Sequence, residues 1–346
     1  MADRRDIRAL DSEAVTASPD APTVGHLVGK RFPDFFVVGP MKSGTTALYT
    51  MLKRHPQIYL PASKEPWFFA SELQLRDPPR PTGTGWTPKT VEHYLSLFED
   101  ATPEQRVGEA SALYLWSPSA AERIATVQPA ARIIAVLREP ASFLRSLHLQ
   151  FVQVYLETEV DLRKALALEE SRRQGRNLPS NEYWPGATFY SDHARYVEQL
   201  RRYHAVFPPE QVLVLIYDDF RRDNEATLRQ VLRFLEVDDT VAIGVRDANP
   251  TVRVRAPRLH AMVHSVSAGQ APLPRAVRAS LKALAPRKLN RQTAVAIRDR
   301  LFFTGPRPPD EQLMLELRRR FKGEVVALSE YLDRDLVTLW GYDDID

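Results

Sequence analysis

The chain has 346 residues, with 47 Lys and Arg against 44 Asp and Glu, 27 prolines, 14 glycines and no cysteine. At 44% hydrophobic and 26% charged it has the make-up of a soluble globular protein, which excludes disordered and collagen-like classes. The absence of cysteine excludes a disulfide scaffold, a thiolate zinc site and a cysteine nucleophile.

The length suits one large α/β domain or two smaller ones. The longest apolar runs, Ile133–Leu137 and Val212–Ile216, are strand-sized and too short to span a membrane. Residues 1–31 are polar and aperiodic, which predicts a flexible tail, and they lack the apolar core of a signal peptide, so a cytoplasmic location is expected. Phe35–Gly39 is an apolar run ending in glycine, as in a buried parallel strand. Ala47, Leu48, Met51 and Leu52 then recur at helical spacing as far as His55-Pro56, and residues 57–60 suit a second short strand. Residues 74–90 are rich in proline and glycine and predict a loop.

A helix is expected over residues 90–98, a strand over 106–111 and a helix over 119–126, followed by the clearest strand, 132–137. The next helix places Phe143, Leu144, Leu147, Phe151 and Tyr155 on one face. Helix 192–207, strand 211–217 and helix 225–235 complete an alternation that argues for a parallel sheet covered on both faces. From Pro257 the pattern is helical and basic, ending in a helix over 312–331. Between Thr251 and Arg300 eleven Lys and Arg face one acid, Asp299, so a net +3 chain carries +10 there and −7 elsewhere. Such a block either attracts anions or is a solvated, arginine-coated pair of helices.

The segment with most chemical content is Phe35-Phe-Val-Val-Gly-Pro-Met-Lys-Ser-Gly-Thr-Thr46. A strand that delivers a glycine- and threonine-containing turn to a helix start presents free N–H groups, hydroxyls and the positive end of a dipole to an anion. Lys42 adds a full charge. The lysine precedes Gly44 by two residues and Thr45 stands where the nucleotide-triphosphate loop has its lysine, so the magnesium-binding pattern of kinases is not reproduced. The other reading is a simple turn with Lys42 at the surface. A second anchor follows strand 132–137: Arg138-Glu-Pro140, then Ser146 eight residues after the arginine. An arginine at a strand's carboxyl end and a hydroxyl on the next helix suit a phosphate, unless Arg138 simply pairs with Glu139 or Asp192 and Ser146 is exposed.

These residues resemble a known family. GPMKSGTT after an apolar strand, with His55-Pro56 beyond the helix, looks like the 5′-phosphosulfate loop of sulfotransferases. Arg138, Pro140 and Ser146 match the family's 3′-phosphate motif residue by residue. The resemblance covers about residues 33–342, is weakest over 251–310, and points to the branch holding heparan sulfate sulfotransferase domains and bacterial homologues. It implies a P-loop-like three-layer fold with a mainly parallel central sheet, in a single domain from residue 32 with a basic insertion or lid near 251–310. It also implies the donor 3′-phosphoadenosine-5′-phosphosulfate (PAPS), held by Lys42, Ser43, Gly44, Thr45, Thr46, Arg138 and Ser146, and a hydroxyl acceptor in a small molecule, lipid or glycan.

Sulfuryl transfer passes through a loose transition state, so alignment and positive charge near the leaving oxygen carry it, the latter expected from Lys42. No metal-ligand cluster is visible in the sequence, and no metal or nucleic acid is expected. In Ser63-Lys-Glu-Pro-Trp-Phe-Phe69, Glu65 matches the family's general base, and its aromatic neighbours are expected to desolvate it. The alternative is a surface Lys64–Glu65 pair beside core aromatics. His93 and His148 are weaker candidates for the base. Ala110, between Glu109 and Ser111, replaces a lysine of glycan-modifying relatives. Arg253, Arg255, Arg258 and Arg307 are candidates for a third phosphate contact, and Trp86, Tyr155, Tyr183, Trp184 and Phe189 for an acceptor lining. The rival functions are a P-loop phosphotransferase and a non-catalytic polyanion-binding protein.

Overall fold

Phe35–Gly39 forms strand β1, and all five residues are buried. Their side chains alternate between two cores: Phe35 and Val37 enter one, Phe36 and Val38 the other. Strand β4, Arg132–Leu137, divides in the same way, with Ile134 and Val136 on one face and Ile133, Ala135 and Leu137 on the other. A strand apolar on both faces has to be covered on both, which is why these runs are continuous rather than alternating. Each fully buried large side chain contributes about 1.5–3 kcal/mol.

The computed structural model describes residues 31–73, 88, 90–179, 186–244, 253–254, 303–306 and 308–345. Strands β2 (Ile58–Tyr59), β3 (Arg106–Ala110) and β5 (Val212–Ile216) join β1 and β4 in a five-stranded sheet of order β2-β3-β1-β4-β5. Every pairing is parallel. Phe35 lies opposite Gly108, where a Cβ would stand 2.1 Å from the Phe35 ring. One face is covered by α1 (Thr45–Leu52), α9 (Tyr217–Arg222) and α10 (Asn224–Phe234), through residues such as Leu48, Phe220 and Val231.

The other face is covered by α2 (Val91–Leu95), α3 (Ala120–Val127), α4 (Pro140–Gln153), α8 (Tyr196–His204), α11 (Glu311–Tyr331) and α12 (Leu336–Trp340). Short helices α5 (Leu162–Ala167), α6 (Glu169–Arg173) and α7 (Tyr190–His193) lie between α4 and α8 in the chain. Starts are set by side-chain caps: Thr90, Asp161, Asp223, Asp310 and Asp335 each accept a bond from an N–H inside the first turn. The result is the expected three-layer, P-loop-like α/β fold. Among the described residues no helix is long and apolar enough to cross a membrane.

Four local expectations need correction. Tyr155 is not on the α4 face, because the helix ends at Val154 and Tyr155 turns into the left-handed region at φ 63°. The helix expected over 192–207 is two, α7 and α8, broken at Ala194 and Arg195. Tyr217 opens α9 rather than closing β5. Within the stretch read as helical from Pro257, Phe303–Thr304 forms strand β7, which pairs antiparallel with β6 (Arg253–Val254). The expected tail up to residue 30, most of the 74–90 loop, Trp86, Tyr183, Trp184, Arg255, Arg258, Arg307 and the basic helices from Pro257 to Arg300 lie outside the described residues.

Candidate functional site

Strand order reverses at β1: the chain goes to β3 and β2 on one side, then returns to β4 on the other. In open α/β sheets such a reversal opens a crevice at the carboxyl ends of the strands, and both anchors leave β1 and β4 there. After β1 the backbone turns sharply, with Gly39 at φ 116° and a cis Gly39–Pro40 bond. A Cβ at Gly39 would meet the Ala112 carbonyl oxygen at 2.1 Å. Lys42 (φ 62°) and Gly44 (φ 90°) are also left-handed, so the turn coils tightly into α1. Gly44 occupies the N-cap, and no side chain caps the helix. Ser43 and Thr45 are buried, and Thr46 is half-buried on the same first turn.

The two anchors, 96 residues apart in the chain, meet directly. Arg138 Nη1 donates to the Lys42 carbonyl at 2.8 Å, and its guanidinium lies 4.8 Å from the centre of the Tyr217 ring. The Arg138 carbonyl accepts from the Tyr196 hydroxyl at 3.0 Å, which fixes the strand end. Lys42 Nζ donates to Gln150 Oε1 at 3.4 Å across to α4. The expected pairing of Arg138 with Glu139 or Asp192 does not form: Glu139 caps α4 at the Ala141 and Ser142 N–H groups, and Asp192 holds Arg173. Glu139 Oε1 also accepts the Tyr342 hydroxyl at 2.7 Å, from just beyond α12. Ser146 is buried on the second turn of α4, not exposed.

Among the described residues no carboxylate stands within ion-pair distance of Lys42 or Arg138. Burial, and then the charge of Arg138, holds the Lys42 amine below its usual range, and the same two causes depress Arg145. Lys42 and Arg138, gathered with no carboxylate beside them among the described residues, favour an anionic ligand whose charge offsets their mutual repulsion.

Glu65 is brought to the same place by a loop stitched to the end of β3. Its N–H donates to the Ala110 carbonyl at 3.0 Å, and its Oε2 accepts from Ala112 N–H at 2.8 Å and Trp67 Nε1 at 2.9 Å. Its Oε1 is paired with Lys64 Nζ, which also donates to Thr45 Oγ1 at 3.3 Å. Glu65 and Trp67 both adopt positive φ, 64° and 53°. Both Glu65 oxygens are thus engaged, Oε2 by the Ala112 N–H and the Trp67 indole and Oε1 by Lys64. The Lys64–Glu65 pair is no simple surface pair, at 14% and 25% side-chain exposure.

Apolar surroundings perturb Glu109, a carboxyl that sequence reasoning did not place in the site. It is fully buried on β3, and burial pushes it up to about 7. Tyr94 and Tyr114 hydroxyls both donate to its Oε2, at 3.1 and 2.7 Å, and Ser111 also favours its charged form. The Tyr114 hydroxyl accepts from Phe69 N–H at 3.2 Å, and Ser111 Oγ accepts from Trp67 N–H at 3.1 Å, so this cluster anchors the Glu65 loop. The signal for Glu109 was a lone acid in an apolar strand. Of the histidine candidates, His148 is buried on α4 with a ring nitrogen 2.8 Å from the Glu159 carbonyl, and burial lowers its pKa. His93 is half-buried in the short α2.

Comparison with known proteins gives a consistent picture. The profile of the sulfotransferase family matches residues 33–240. A sulfotransferase from Alicyclobacillus acidocaldarius, of known crystal structure, aligns with a TM-score of 0.56 and 30% identity, covering 75% of this chain and 98% of that one. Carbohydrate sulfotransferase 15 of Mus musculus is 28% identical over 268 residues, which cover 62% of this chain and 46% of the mouse protein. Bifunctional heparan sulfate N-deacetylase/N-sulfotransferase 3 of Homo sapiens is 29% identical over 216 residues, covering 60% of this chain and 22% of the human protein. The chain spans less than half the length of these two curated relatives.

Proposed function

The chain belongs to the sulfotransferase family, and on that premise we propose that it moves a sulfuryl group from PAPS to an acceptor hydroxyl of a small molecule, lipid or glycan. The observation that carries this reading is the junction of Lys42 with Arg138: two cationic turns in direct contact, with no carboxylate in ion-pair distance of either among the described residues. The residues present suit a donor with charge at two ends. Ser43, Thr45 and Thr46 on the α1 start would hold the 5′ end, and Arg138 with Ser146 the 3′-phosphate.

When bound, the donor supplies a sulfur already attached to a good leaving group: the acceptor oxygen bonds to sulfur, the sulfur–phosphate oxygen bond breaks, and its electron pair stays on the phosphate. Lys42 places its charge beside the α1 cradle, where negative charge grows on that oxygen. Glu65 receives the acceptor's proton, and its loop is fixed by Ala110, Ala112 and Ser111, so its position is set before the acceptor arrives.

Calorimetry with adenosine 3′,5′-bisphosphate tests the reading. Binding in the micromolar range without magnesium is expected, weakened about tenfold or more in Lys42→Ala and in Arg138→Ala, the loss of one charge-assisted contact each. Tight binding of adenosine triphosphate with magnesium instead would replace this reading with a phosphotransferase. Glu65→Gln should keep nucleotide affinity and lose about 10²–10⁴ in turnover; unchanged turnover removes Glu65 from its role.

A further inference from the structure

Lys64 links the start of α1 to the carboxylate of Glu65. Its Nζ donates to Thr45 Oγ1, at the first residue of α1, and forms the ion pair with Glu65 Oε1. The other carboxylate oxygen is already taken by Trp67 Nε1 and Ala112 N–H. Oε1 is therefore the oxygen left to receive a proton, and in the protein alone an ammonium sits on it. An ammonium has three N–H donors, so these two partners leave a third for a ligand. Lys64 is also long-stemmed and compactly charged, able to exchange one anionic partner for another by rotating its last bonds.

We propose that Lys64 couples donor occupancy to the general base: it rests on Glu65 Oε1 when no donor is present and turns to the sulfuryl oxygens of an incoming donor at Thr45, which frees Oε1 for the acceptor's proton. This rests on the reading of the site given above. Its physical basis is competition between two anions for one cation, the single carboxylate on one side and the phosphosulfate on the other. The base then becomes competent only with donor in place. A purely structural Lys64–Glu65 pair would instead be indifferent to the donor.

Adenosine 3′,5′-bisphosphate lacks the sulfuryl group and PAPS carries it, so the two nucleotides separate these roles. Wild type, Lys64→Met and Lys64→Arg are each titrated calorimetrically with both nucleotides, without acceptor, and then assayed for turnover. Lys64→Met should bind the bisphosphate within about twofold of wild type but PAPS about 10-fold more weakly, the loss of one charge-assisted contact. Its turnover should fall, and Lys64→Arg should recover part of the PAPS affinity. Equal changes toward both nucleotides in Lys64→Met, or none toward either, would overturn the coupling while leaving the sulfotransferase reading intact. Failure of the wild-type protein to bind either nucleotide would overturn that reading itself, and this inference with it.

Discussion

Replacing Glu109 by glutamine isolates the most perturbed carboxyl beside the site. In the folded protein burial raises its pKa from an ordinary 4.5 to about 7, and the Glu65 charge adds to the rise against the opposing bonds from Ser111, Tyr114 and Tyr94. Between those two values the folded state holds a proton that the unfolded chain has released. Stability therefore falls as pH climbs from 4.5, and the fall levels off above about 7. At 1.36 kcal/mol per pKa unit the whole window is worth about 3 kcal/mol.

Wild type alone will not display this slope. His193, buried against Trp116, is held by burial down at about 4 from 6.5 and contributes a rise over an overlapping window, because the unfolded chain binds the extra proton. The difference between Glu109→Gln and wild type cancels His193 and every other group. Guanidinium denaturation of both proteins at pH 4.5, 5.5, 6.5 and 7.5 should show the variant gaining about 3 kcal/mol relative to wild type across the series. In melting temperature, with about 2.1 cal/mol/K of unfolding entropy per residue over 346 residues, this is about 4 °C. A difference that stays constant with pH would show that Glu109 does not titrate in this range. A difference of opposite sign would show that the tyrosine hydroxyls hold the carboxylate ionised.

Two further substitutions probe the frame of the site. Gly44→Ala forces a side chain into φ 90° and sets a Cβ 3.1 Å from the Phe220 ring, so a loss of about 1–2 kcal/mol in thermal denaturation and weaker bisphosphate binding by calorimetry are expected. Arg172→Met breaks a fully buried ion pair, in which its two terminal nitrogens meet Glu157 at 2.7 and 2.9 Å. It should cost about 3–5 kcal/mol by denaturation, and the double variant with Glu157→Met should recover much of that, because no lone charge is left buried.

What was legible in the amino-acid order was what neighbours along the chain decide. The runs Phe35–Gly39 and Arg132–Leu137, the α4 face of Phe143, Leu144, Leu147 and Phe151, and the order of strands and helices all follow from local period and composition. So do the two turns that carry Lys42 and Arg138, because a glycine turn before a helix and an arginine after a strand are short-range patterns. Local pattern gave out where the chain folds back on itself. The partners of Glu65 come from residues 110 and 112, that of Lys42 from residue 150, and Tyr155 leaves its helix through a backbone turn that periodicity cannot register. Lys64 looked like half of a surface pair because its second partner, Thr45, belongs to a different strand–helix unit. Glu109 went unnoticed because the two hydroxyls that donate to it stand on Tyr94 of α2 and on Tyr114, past the strand.

The bond from the Tyr342 hydroxyl to Glu139 has a consequence for the order in which the protein is built. Glu139 separates Arg138 from the helix that carries Ser146, and it is clamped from below by a residue two hundred positions later. During synthesis the lysine-bearing turn and its helix precede the arginine-bearing turn. The arginine-bearing turn emerges next but lacks its last brace until the segment around Tyr342 has left the ribosome and docked. A nascent chain stalled short of that point would hold the Lys42 turn complete but the end of β4 without its Tyr342 brace on Glu139.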